Sequence, residues 1–242
     1  MKYVTKFETQ SAYTEAESSL ILPNVSLIAE TNGVSYKPVE PAPSHDFVEI
    51  GGIKWATMNV GANSVTDYGL YFQWGDTQGY TAAQVGSGEG KKYFDWTDYK
   101  YSDNGTTAMT KYNSTDGKTV LDASDDAVTA AWGGSWRMPT EDEFLALTAA
   151  TTSSWVTDYQ GSGINGRLFT DKTDSSKVLF FPAAGSCYRG SVSSVGSICN
   201  YWIGLLANII AYGRGLYFYS GGVYVNYNGR CFGYTVRGVL GS

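Results

Sequence analysis

The chain has 242 residues, 29 of them Gly, with only 17% charged side chains and a formal net charge of −6. This length buries a sizeable core in one large domain with room for a short appendage, and the acidic balance excludes nucleic acid as the main partner. Three cysteines and a lone His45 give no zinc ligand set, and no apolar run approaches the roughly 20 residues of a membrane span.

Residues 1–36 are mixed and polar, without the apolar stretch of a signal peptide, so synthesis in the cytoplasm is expected. Lys37-Pro-Val-Glu-Pro-Ala-Pro43 reads as an extended linker, which sets a boundary near residue 45. Residues 1–45 are read as an attachment or oligomerisation segment, with a poorly ordered tail as the alternative. Residues 46–242 form the main domain. It opens on a hairpin, Phe47–Ile50 and Ile53–Trp55 around Gly51-Gly52. Residues 69–75 give a further short strand signal, and 76–120 read as a long irregular insertion rich in Gly, Thr, Asp, Asn and Tyr.

Two helices are predicted. Ser124 is placed as the cap of a helix through Trp132 that Gly133-Gly134 ends, and Thr140-Glu-Asp-Glu143 is a capping box for a second helix with Phe144, Leu145 and Leu147 on its apolar face. Residues 167–170 and 178–181 read as paired strands. The odd cysteine count favours free buried thiols at Cys187, Cys199 and Cys231 over a Cys187–Cys199 disulfide.

From Cys199 onward the composition changes. There is no Asp, Glu, Lys, Gln, Met or His, while ten aromatic residues alternate with Gly, Asn, Ser and three arginines. Aromatic and Arg contacts separated by small polar residues are paratope chemistry. Period two places Leu216 and Phe218 on one face and Tyr217 and Tyr219 on the other, and Val223 and Val225 alternate with Tyr224. The aliphatic set is read as buried and the tyrosines as outward. Tyrosines that simply pack on a sheet surface are the alternative. The last strand is read as Phe232–Leu240, with Val236 buried and Thr235 and Arg237 on the opposite face.

Several separated motifs, in order, resemble one family. Val48-Glu-Ile-Gly-Gly-Ile-Lys-Trp55, Trp132-Gly-Gly-Ser-Trp-Arg-Met-Pro-Thr-Glu-Asp-Glu-Phe144, Tyr201-Trp202, Gly233 and Val236-Arg237 are similar to the Fibrobacter succinogenes major paralogous domain, in the formylglycine-generating-enzyme-like branch of the C-type lectin fold. The likeness covers about residues 46–240. It departs after Tyr201-Trp202, where Ile203-Gly-Leu-Leu206 stands in place of the usual Ser-Ser. Similar proteins include the variable proteins of diversity-generating retroelements, in which randomised Asn codons cannot yield Lys, Glu, Gln, Met or Trp. Lys, Glu, Gln and Met total 29 of the first 198 residues and none of the last 44. Tyr3–Phe7, Ala12-Tyr13 and Leu22–Ser26 resemble the start of tail-associated proteins of Bacteroides phages and prophages.

The resemblance implies an α+β, C-type lectin-like fold, with two short helices, antiparallel strands and long irregular loops. It implies a variable region at about 200–237, whose expected ligand-binding residues are Ile203, Leu205, Leu206, Asn208, Ile209, Ile210, Gly213, Arg214, Tyr217, Tyr219, Tyr224, Tyr227, Phe232 and Tyr234. For Leu205, Leu206, Ile209 and Ile210 a core position remains the alternative. The expected partner is a protein or glycan on a host cell surface, with residues 1–45 joining a phage tail or envelope component, or forming a homo-oligomer, and the expected location is the virion tail. Arg230 and Arg237 match fixed positions, where bonding to backbone carbonyls or to an acid of the body, holding loops in place, is expected. No metal or cofactor is expected: calcium-dependent sugar binding would need Glu-Pro-Asn and Trp-Asn-Asp, which are absent. The rival readings are a non-diversified surface adhesin of this fold and a formylglycine-generating type of enzyme working through Cys199 or Cys231.

Overall fold

The computed structural model describes residues 26–30, 33–37 and 45–241. The chain divides into two compact units, Met1–Ser44 and His45–Ser242. In the first, β1 (Ser26–Glu30) and β2 (Gly33–Lys37) form an antiparallel hairpin that pairs Ser26 with Lys37 and Glu30 with Gly33. Nothing in the sequence reading marked this hairpin. The linker expected at 37–43 and the tail-like motifs of residues 3–26 fall, apart from Lys37 and Ser26, outside the described residues.

In the second unit, β3 (Phe47–Ile50) and β4 (Ile53–Asn59) pair as the Gly-Gly signal predicts. Gly51 and Gly52 both take left-handed φ values, 61° and 77°, which is the backbone a two-residue hairpin of matching twist requires. The last strand, β14 (Arg237–Leu240), lies between β4 and β5 (Trp136–Arg137) in a sheet ordered β3-β4-β14-β5, so the two ends of the unit are side by side. A second sheet runs β6 (Thr151–Val156), β7 (Gly166–Asp171) and β8 (Val178–Pro182). Two short strands, β9 (Ser186–Tyr188) and β10 (Ser191–Ser193), make a third. The fourth is a meander of β11 (Cys199–Leu206), β12 (Tyr212–Tyr219) and β13 (Gly222–Gly229). With two helices, the unit is a mixed α+β fold of small, mostly antiparallel sheets.

Helix α1 (Ala127–Trp132) starts two residues later than a Ser124 cap would set it. Its cap is Asp126, whose Oδ1 accepts from the Val128 and Thr129 amides while Oδ2 accepts from Met138. Asp126 wins because one carboxylate serves both the helix end and the returning chain. Helix α2 (Glu141–Ala150) has the predicted capping box: Glu143 donates its amide to Thr140 Oγ1 at 3.2 Å, and its carboxylate accepts from the Thr140 amide at 2.8 Å. Arg137 grips the same carboxylate with both terminal nitrogens, at 2.8 and 2.6 Å.

Residues 60–126 carry almost no regular structure, and no strand forms at 69–75. Tyr71 and Phe72 instead make isolated bridges to Tyr80 and Tyr234. Side chains replace the missing ladders: Asp98 accepts from the amides of residues 93–95, and Asp116 from those of Tyr112, Asn113 and Lys118.

Four hydrophobic clusters hold the unit, and the two largest are strongly aromatic. One joins Trp55, Phe144, Phe169, Phe181, Tyr201, Leu216 and Phe218; the other joins Phe72, Trp74, Trp132, Trp136, Trp202 and Tyr234. Each large side chain so buried contributes about 2–3 kcal/mol. The buried indoles of Trp74 and Trp202 donate to the Ile203 and Phe72 carbonyls at 2.9 and 2.8 Å. Residues 233–239 thread between these cores, so Thr235 and Arg237 are as buried as Val236. Both sides of that segment are interior.

Candidate binding face

The meander β11-β12-β13 presents two different faces, set by residue parity. Leu216 and Phe218 point inward, with Phe144 of α2 stacked on Phe218 at 5.5 Å, and Val223 and Val225 of β13 pack against the same core. The opposite parity carries Gly213, Gly215, Tyr217 and Tyr219 on β12, facing Asn228, Asn226, Tyr224 and Gly222 across the register.

This outer face is itself divided. At its base it is covered: a Cβ on Gly213 would meet the Trp74 ring at 2.6 Å, and one on Gly215 would meet the Tyr201 carbonyl at 2.9 Å. Toward the hairpin tip no strand or helix among the described residues covers it. Tyr217 stands directly opposite Tyr224, the Tyr219 and Tyr224 rings stack at 6.0 Å, and Tyr217 leans on Tyr219 at 5.7 Å. Glycine makes this arrangement possible, because a Cβ on Gly222 would lie 2.6 Å from the Tyr224 hydroxyl. The Tyr224 hydroxyl in turn raises the pKa of Tyr219 beside it. Between base and tip lies a shallow depression lined by Asn200, Gly215, Tyr217, Asn226 and Tyr234. No side chain of this set carries a charge.

The residues expected to form one binding surface therefore separate. Tyr217, Tyr219 and Tyr224 gather at the tip of the outer face, and Tyr224 is half exposed, at 50%. Tyr227 is also exposed but has the other parity, opposite Arg214, and packs edge-on against Tyr212 at 5.8 Å. Arg214 on that side is ion-paired with Glu141 of α2. Asn208, Ile209 and Ile210 are exposed in the loop between β11 and β12. That loop lies at the far end of β12 from the tip, about 23 Å away at 3.3 Å per residue.

Six expected contacts are corrected. Ile203 is fully buried in the first core, because β11 is covered on both faces. Leu206 is buried in the second core, and Leu205 is half-buried against the first, bridged to Val120 of the insertion. Gly213 has no room for any side chain beneath Trp74. Tyr234 is buried, stacked on Trp202 at 4.2 Å with its hydroxyl accepting from Asn228 at 2.7 Å, so it forms a wall of the depression and presents little else. Phe232 is half-buried and lies flat on Tyr188 at 4.1 Å, away from the tip. Asn200, Asn226 and Asn228 were missed. Period two carried the signal for two of them, since Asn226 and Asn228 follow Tyr224 on the same parity.

All three cysteines are free and buried. Burial pushes the Cys199 and Cys231 thiols up to about 12, and Cys187 further still. Among the described residues no helix is long and apolar enough to cross a membrane. Comparison with protein-family models, curated proteins and solved structures found no match for this chain.

Proposed function

We propose that the chain is a ligand-binding display protein: a diversified receptor-binding protein of a phage or prophage tail, built on a C-type lectin-like domain. Its binding face is the outer tip of the β12–β13 hairpin. Residues 1–45 attach it to the tail, and its partner is a protein or glycan on a host surface. The single observation that carries this reading is an uncharged cluster, Tyr224 and Asn226 exposed with Tyr217 and Tyr219 half-buried beside them, on one parity of a hairpin whose other parity packs on an aromatic core. Such a hairpin tolerates change at its outer side chains, since surface substitutions are usually worth within about 0.5 kcal/mol, and exposed aromatic groups in number mark contact sites. The two short helices, small antiparallel sheets and long insertion are what the lectin-like reading expects. The formylglycine-generating alternative needs a thiolate that burial of all three cysteines disfavours.

Deep sequencing of residues 195–240 in a host population carrying the intact locus tests the proposal. Substitutions are expected at outward positions such as Asn208, Tyr217, Tyr219, Tyr224 and Asn226, with Ile203, Gly213, Leu216 and Phe218 untouched. An invariant sequence would reject diversification and leave an adhesin with one fixed ligand.

A further inference from the structure

β13 is an edge: among the described residues no strand pairs with it beyond β12. It is also an unusually undefended edge. Its eight residues, Gly222–Gly229, include no charge and no proline, and its register with β12 is unbroken from Tyr212↔Gly229 to Tyr219↔Gly222. Edges that must stay solitary are normally blunted by a charge, a proline or a bulge.

Hydrogen-bonding direction follows from the turn. Tyr219 and Gly222 close a two-residue loop, so residues 222, 224, 226 and 228 bond inward to β12 and residues 223, 225, 227 and 229 point their backbone groups outward. Two of those outward amides are already occupied: Tyr227 donates to Asn226 Oδ1 and Gly229 to Asn228 Oδ1, both at 2.9 Å. Those of Val223 and Val225 have no partner of this kind among the described residues.

We propose that β13 is a dimerisation strand. A second copy of this chain pairs antiparallel with it across a two-fold axis at Val225, extending the three-stranded sheet to six. The strand's own sequence argues for this occupant. In the one register that aligns outward-pointing residues about Val225, Val225 faces its own copy, Val223 faces Tyr227, and Tyr224 faces Asn226. Every pair is neutral, and β-branched–aromatic pairs are favourable across strands. Pairing transfers the Tyr227 amide from Asn226 to the Val223 carbonyl of the second copy, and the released carboxamide meets the Tyr224 hydroxyl opposite it. The axis stands perpendicular to the sheet, so the outer faces of both copies look the same way. The tyrosine cluster is thereby doubled, which gives a weak binding face avidity. Only that last consequence rests on the proposed function; the dimer does not.

The test is sedimentation equilibrium of the full chain, with variants at Val225. The native chain is expected to dimerise. Val225→Pro removes an outward amide without removing a hydrogen bond to β12. It also loses packing against the core, so it is compared with Val225→Ala, which loses the packing and keeps the amide, and only the proline should raise the dimer dissociation constant about tenfold or more. Val225→Cys should give a covalent dimer on mild oxidation, because facing hydrogen-bonded residues have Cα atoms about 5.5 Å apart. The native thiols are buried and do not compete, and Ser220→Cys at the hairpin tip should not cross-link. A chain monomeric at every concentration would overturn the proposal and leave the edge to residues 1–44 or an extended ligand segment. A dimer that survives Val225→Pro, with no cross-link at Val225→Cys, would also overturn it by placing the contact elsewhere. Sequence diversity at residues 195–240 bears on neither result.

Discussion

Arg237 is a fully buried cation that, among the described residues, no carboxylate neutralises. Its Nε donates to Asn59 Oδ1 at 2.8 Å, Nη1 to the Ala56 and Thr57 carbonyls at 3.0 and 2.7 Å, and Nη2 to the Phe180 carbonyl at 3.0 Å, while the guanidinium lies 4.7 Å over Phe181. One side chain thus ties β4, β8 and β14 together through four acceptors, and three of those bonds are buried. Burial lowers its pKa, yet a guanidinium remains charged. Arg230 does the same for the insertion, donating to the Lys111 and Tyr112 carbonyls at 3.0 and 2.5 Å. Arg237→Ala leaves four acceptors unpaired beside a cavity, and should cost about 3–5 kcal/mol in urea unfolding. A loss under about 1 kcal/mol would mean that the carbonyls find other donors and the clamp is incidental. That both arginines serve a structural role followed from their match to fixed positions of the resemblance, with a carbonyl or an acid of the body as partner; that the partners are carbonyls, and which strands they join, was not legible.

At the scale of the hairpin, the alternation of Leu216 and Phe218 with Tyr217 and Tyr219 was enough to assign inside and outside, because one face there is bare. The same rule failed on β11 and at the base of β12. There both faces carry a core, so parity does not distinguish buried from exposed, and Ile203, Leu206 and Gly213 were expected as contacts from the resemblance alone. The Thr140 box and the Gly51-Gly52 turn were legible because each is a local hydrogen-bonding problem with a local answer. Asp126 was not, because its preference over Ser124 depends on Met138, twelve residues away. The tip tyrosines support a sharper expectation. Tyr217→Ser, Tyr219→Ser and Tyr224→Ser together remove cross-strand aromatic contacts worth about 0.2–1 kcal/mol each, so the melting temperature should fall by only about 2–8 °C in a unit of this size. Circular dichroism melts decide it. A collapse of 15 °C or more would mean the rings serve the fold, and the outer face would lose its standing as a free surface.

Across the whole molecule, the same burial that fixes the cores makes stability depend on pH in two separable ways. His45 stacks on Trp132 at 4.0 Å and meets Trp136 edge-on at 5.9 Å, and burial lowers its pKa although Asp46 pulls it upward. A depressed imidazole pKa means the unfolded chain takes up a proton that the folded chain refuses. Stability is therefore fully present above about pH 6.5 and declines as pH falls below it. Asp125 and Glu143 act lower down. Burial pushes both carboxyls up, but Lys111, Lys100 and Tyr112 around Asp125, and Arg137 and Thr140 around Glu143, hold them below the ordinary carboxylate range. Their contribution is present above about pH 4 and is lost as pH falls through it. Asp126 opposes them: burial raises its pKa, so protonation favours the folded chain and partly offsets the acid loss. Thermal melts from pH 8 to pH 3 should therefore decline in two steps, one beginning near 6.5 and one near 4. His45→Phe should abolish the first step and leave the second, and Asp125→Asn should lower stability at neutral pH while flattening the second. Superimposable curves for the native chain and His45→Phe between pH 7 and 5 would show that the imidazole protonates in place against Trp132, and that the start of the domain yields to water without unfolding the rest.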